Sequence, residues 1–125
     1  MKLSTLMVIN AVVALVFGLA FVLMPGRVVS YYAVTLNEGG LFVGQLFGAA
    51  LIGFAVLTWL ARNSGANEAR QAILLALFVS DAVGFVVALL AQLAGVANSL
   101  GWSTVAIYLL LALGFGYFRF MRSGA

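Results

Sequence analysis

One of the three acidic residues in this chain, Asp81, stands in the stretch FVSDAVGFV, amid side chains that are otherwise apolar or small. A carboxyl in such a setting can hold a proton, meet a cation or donate one hydrogen bond as a neutral acid. Among the other polar side chains within apolar runs are Ser80, Tyr108, Gln45, Gln92 and Asn10. Cysteine and histidine are absent. That removes thiol nucleophiles, imidazole bases and zinc sites built on Cys or His. GFGYF (114–118) has two glycines but follows no strand, so it is no dinucleotide fingerprint. We therefore expect no catalytic residues, no metal, no cofactor and no enzymatic activity.

The elements that must position these groups follow from composition. Hydrophobic residues make up 66% of the chain and charged ones 7%, against about a quarter charged in a soluble domain. So little charge cannot cover a folded surface in water, and the expected solvent is the lipid bilayer. The net charge of +3 is scattered rather than gathered into a basic stripe, which leaves no footprint for nucleic acid.

Four apolar segments, at about 4–24, 41–61, 71–94 and 102–120, are each long enough to cross a hydrocarbon core of about 30 Å as a helix. They are too long for barrel strands and lack strand alternation. The fold class expected is all-α: an antiparallel integral membrane four-helix bundle, forming a single transmembrane domain over 1–125. Lys2, Arg62, Arg70, Arg119 and Arg122 fall on one side of this arrangement and Arg27 on the other, which places both termini in the cytoplasm. Lys2 and the pair Gly18 and Ala20 also resemble a cleaved leader, but the apolar run reaches Met24, long for such a segment, so the first span is expected to remain. Between the first two spans, Val28, Val29, Tyr32, Ala33 and Leu36 recur at helical spacing, which suits either a short interfacial helix or a loop anchored by tyrosines. Glu38, Asn67 and Glu68 read as helix-start residues.

Helices in lipid pack through small residues. Every span supplies them four apart, including Gly44 and Gly48 on the second and Ser80, Gly84 and Ala88 on the third. Asp81 borders that third seam near mid-bilayer, where an ionised aspartate costs about 2.5–3.5 kcal/mol. Its apolar neighbours, at about −0.3 to −0.6 kcal/mol each, still carry the helix in. Burial away from any cation favours the neutral acid, with Ser80, Tyr108 or a backbone carbonyl as its partner. Gln45 and Gln92 fall in the outer half, where they either join helices by hydrogen bonds or line a polar cavity.

The second span, EGGLFVGQLFGAALIGFAVLTWLAR (38–62), together with Pro25 and the short third loop, resembles small bacterial four-helix membrane proteins of unknown function, the DoxX-like group among them. The resemblance spans nearly the whole chain and implies a multi-pass protein of the bacterial inner membrane. It carries over no catalytic residue. Two functional expectations stand side by side. In the first, the chain is an accessory or structural component acting through lipid or protein partners, in a homo-oligomer or a larger membrane complex. In the second, it is a minimal oligomeric transporter coupled to protons or cations through Asp81. Small multidrug exporters place their carboxylate in the first of four spans, whereas this chain has it in the third.

Overall fold

The computed structural model describes residues 1–121, and they are helical apart from their connectors. The helices are α1 (Leu3–Leu23), α2 (Pro25–Ser30), α3 (Glu38–Ala61), α4 (Glu68–Leu93) and α5 (Gly101–Gly116), and α5 runs on into a π-helical turn, Tyr117–Met121. No strand occurs among the described residues. Four helices are long and apolar enough to cross a membrane: α1, α3, α4, and α5 taken with its π turn.

Local chemistry sets where they start and stop. The helix of α3 begins at Glu38, ahead of its apolar run, because the Asn37 side chain accepts a hydrogen bond from the Gly40 N–H at 2.7 Å. Asn67 caps α4 in the same way, accepting from the Arg70 N–H at 2.8 Å. Glu38 and Glu68 each sit in the first turn, where a carboxylate complements the helix dipole.

Two helix ends close by the same left-handed turn. After α4, the Gly95 N–H donates to Gln92 O and the Val96 N–H to Ala91 O, with Gly95 at φ 76°. After α2, the Ala33 N–H donates to Ser30 O and the Val34 N–H to Val29 O, with Ala33 at φ 59°. An L-residue with a Cβ is disfavoured there by about 1–2 kcal/mol. The first connector is thus a six-residue helix opened by Pro25 at its first turn and ended by this turn, with Val28 its buried residue.

The chain divides into two compact units, Met1–Asn63 and Ser64 onward. In the first unit α1 buries the stripe Leu3, Leu6, Met7, Asn10, Ala11, Ala14 and Gly18, spaced by threes and fours. From α3 it buries Gly48, Ala55, Thr58 and Ala61. Contacts step up α1 as they step down α3: Asn10 meets Thr58, Gly18 meets Gly48, and the Phe21 and Phe47 rings meet edge-on at 5.2 Å. The backbones touch at the glycines. A Cβ on Gly48 would lie 2.7 Å from Gly18 O, and one on Gly18 would lie 2.9 Å from Gly48 O. One turn away the fit is looser, since a Cβ on Gly44 would meet Pro25 at an ordinary 3.5 Å.

The second unit buries Leu74, Leu77 and Asp81 from α4, Gly101, Val105, Ala112 and Phe115 from α5, and Phe118 from the π turn. Phe78 packs on Gly116, where a Cβ would come within 2.9 Å of its ring, and meets Phe120 edge-on at 5.3 Å. The linker into this unit passes through Gly65, which has open space around its α-carbon.

The two left-handed turns make opposite predictions. Gly95→Ala should lower stability in detergent by about 1 kcal/mol, and Ala33→Gly should raise it by a similar amount. Thermal unfolding followed by circular dichroism checks both, and an unchanged midpoint in either would contradict the turn assignment. Gly48→Val should cost about 2 kcal/mol by the same measurement, because the backbone opposite has no flexible end to move aside.

Candidate functional site

Asp81 sits at the midpoint of the 26-residue α4, on the buried stripe that also carries Leu74 and Leu77, and is only 8% exposed. Its Oδ2 is enclosed and accepts no hydrogen bond from any described residue. The expected partners do not serve it. Ser80 is the adjacent residue, about 100° around the helix, so its hydroxyl leaves from a different face. Tyr108 comes near, but no hydrogen bond joins it to Asp81 Oδ2. A buried polar atom without a partner costs about 1–3 kcal/mol, and Asp81 Oδ2 bears that cost at the middle of α4.

Gly84, one turn beyond Asp81, explains where the tyrosine goes. The Tyr108 ring rests directly over its α-carbon, so that a Cβ there would lie 2.6 Å from Cδ1 and 2.8 Å from Cζ and would collide with Cε1. With its ring held in that seat, the half-buried Tyr108 stays within electrostatic range of the Asp81 carboxyl. Asp81, Gly84 and Tyr108 thus come together, and Ala88 lies further along the same helix, half-buried.

The first unit holds a polar contact of a different kind. Asn10 Nδ2 donates to Thr58 Oγ1 at 3.4 Å, and Thr58 Oγ1 in turn donates to Phe54 O at 2.8 Å. Both side chains are buried, Thr58 completely. Sequence reasoning passed over Thr58. The available signal was direction, since with α1 and α3 running oppositely the first half of α1, which holds Asn10, lies beside the last half of α3, which holds Thr58.

Gln45 and Gln92 serve their own units separately. Gln45 Nε2 donates to Val22 O at 3.1 Å, tying α3 to the end of α1. Gln92 Nε2 donates to Asn98 O at 2.9 Å, holding the connector between α4 and α5. Among the described residues no three His, Cys, Asp or Glu side chains gather in a way that could hold a metal ion.

These features define an all-helical protein with four bilayer-length helices and a buried carboxyl midway along the third. Residues 8–122 match the family described as Domain of unknown function (DUF8292), and the chain belongs to that family. No curated protein and no solved structure matches it.

Removing the Thr58 hydroxyl tests the polar pair. Thr58→Val keeps the side-chain shape and should cost about 0.5–1.5 kcal/mol in detergent unfolding, the scale of hydrogen bonds between membrane helices. The double variant with Asn10→Leu should cost less than the two single changes added together. Strict additivity would show that the pair contributes nothing.

Proposed function

We propose that this chain is an integral membrane protein that works within the bilayer as an accessory or structural component, through protein or lipid partners, and performs no catalysis of its own. The observation that carries this reading is how little of the long helices is covered. Only narrow stripes are buried, while Val12, Val16, Leu60, Val83, Val87 and Leu110 stand open around them. Apolar surface of that extent is at home in lipid. The described residues outside the long helices are short connectors, so the surface left for recognition is the helices themselves.

The topology we propose has four spans alternating in direction, with both termini cytoplasmic. Lys2, Arg62, Arg70 and Arg119 lie at the inner ends and Arg27 at an outer one. Arg122 falls on the same inner side by sequence and lies outside the described residues. The Arg62 guanidinium stacks 3.9 Å from the Trp59 ring and donates to Trp59 O, the pairing of cation and aromatic that suits a lipid–water boundary. The DoxX-like resemblance of the second span supports the bacterial inner membrane as the location.

A second reading, a minimal oligomeric transporter coupled to protons or cations, is favoured by the unpartnered Asp81 Oδ2. Purification of the native protein in mild detergent separates the two. We expect stoichiometric co-purification of other membrane proteins. A lone homo-oligomer that drives flux down a pH gradient, and loses that flux in Asp81→Asn while still folding, would replace the first reading with the second.

A further inference from the structure

The two units are variations on one hairpin. Shifted by 71 residues, α1 falls on α4 with Leu3 on Leu74, Leu6 on Leu77, Val8 on Val79, Ala11 on Ala82, Val12 on Val83, Val16 on Val87 and Ala20 on Ala91. The three buried residues of α4, namely Leu74, Leu77 and Asp81, then coincide with buried Leu3, Leu6 and Asn10. Shifted by 57 residues, α3 falls on α5 and its π turn. All four of its buried residues, Gly48, Ala55, Thr58 and Ala61, then meet buried ones: Val105, Ala112, Phe115 and Phe118. The shift also aligns Gly44 with Gly101, and Arg62 with Arg119. The two shifts differ because the first hairpin has the longer connector.

In this alignment Asn10 corresponds to Asp81 and Thr58 to Phe115. The first hairpin satisfies its buried amide with the threonine hydroxyl. The second keeps a polar side chain at the same position, changes it to an acid and sets a hydrocarbon ring where the hydroxyl stood. A helix-joining role would need the partner that Phe115 cannot be. Asp81 therefore packs in its hairpin without joining the helices through a hydrogen bond at Oδ2.

We infer that Asp81 is a proton-binding site, carried by the second hairpin at the position where the first carries a structural hydrogen bond. The inference rests on α4 lying within the bilayer and requires no net transport. Other ligands fit poorly. Among the described residues of its own unit the basic side chains are Arg70 and Arg119, and both lie near the ends of their helices, away from the midpoint of α4 where Asp81 stands. A metal ion would find no cluster of ligands among the described residues. A proton needs neither room nor further ligands. From α5, the titratable side chain near Asp81 is Tyr108. Tyr117 and Arg119, on the π turn, lie beyond Phe78, which packs against Gly116 and Phe120.

The test uses the full chain in native membranes and dicyclohexylcarbodiimide, an apolar reagent that attacks protonated carboxyls. The acid proton moves to one carbodiimide nitrogen, the carboxyl oxygen bonds to the central carbon, and an acyl shift to nitrogen gives a stable N-acylurea with no leaving group. Peptide mass spectrometry should find the adduct on Asp81. Its rate of formation should fall about tenfold for each pH unit once the proton is lost. A water-soluble carbodiimide should spare Asp81 and modify the exposed Glu38 and Glu68 instead. An adduct confined to the glutamates, or a labelling rate at Asp81 that is flat with pH, would overturn the inference while leaving the membrane reading intact. Recovery of the chain outside the membrane fraction would overturn that reading first. Because the adduct is mapped on the unaltered chain, the result does not depend on any variant folding.

Discussion

A polar side chain inside an apolar helix must find its hydrogen-bond partner within the protein, because hydrocarbon offers none. Each unit is organised around that constraint. In the first, close contact between the backbones of Gly18 and Gly48 draws α1 and α3 together, and the approach brings Asn10 to Thr58 and Gln45 to the carbonyl of Val22. With little hydrophobic force between helices in lipid, dispersion contacts at small residues and these few hydrogen bonds supply much of the attraction. The second unit uses glycine differently, to seat aromatic rings: Tyr108 over Gly84 and Phe78 over Gly116. The result is a pair held more by ring packing than by hydrogen bonding, and in it one acid is left over.

The contrast between the hairpins gives Asp81 its meaning. A buried carboxyl considered alone is equally compatible with adhesive and working roles. Set beside Asn10, it occupies a position that has a satisfied structural solution in the companion hairpin and that solution is missing here.

Much of the architecture was legible in the sequence because a membrane imposes coarse rules. Length and apolarity mark the four long helices, and the small residues around Asp81 mark an interior face. What was not legible depended on pairing. Thr58 gains its role only when α3 is known to run beside α1 with Gly48 opposite Gly18. The Asn37 cap was hidden because polar residues in the first connector could equally belong to the outer side of an interfacial helix. Ala33 carries no sign of its left-handed conformation, which glycine would have announced. The correspondence between hairpins was obscured by unequal connectors, and it emerges once each helix is shifted separately and buried positions are compared.

The linker at Gly65 has a consequence of its own. Open space surrounds the position a Cβ would take there, and the residues beside it join two compact units. Such a joint is where a chain can grow without disturbing what lies on either side. The point for an added module or epitope is at Gly65 and Ala66, because the neighbouring Ser64 carbonyl is held by the Arg70 side chain. The residues that join the two units are where this chain can change length without interrupting a long helix.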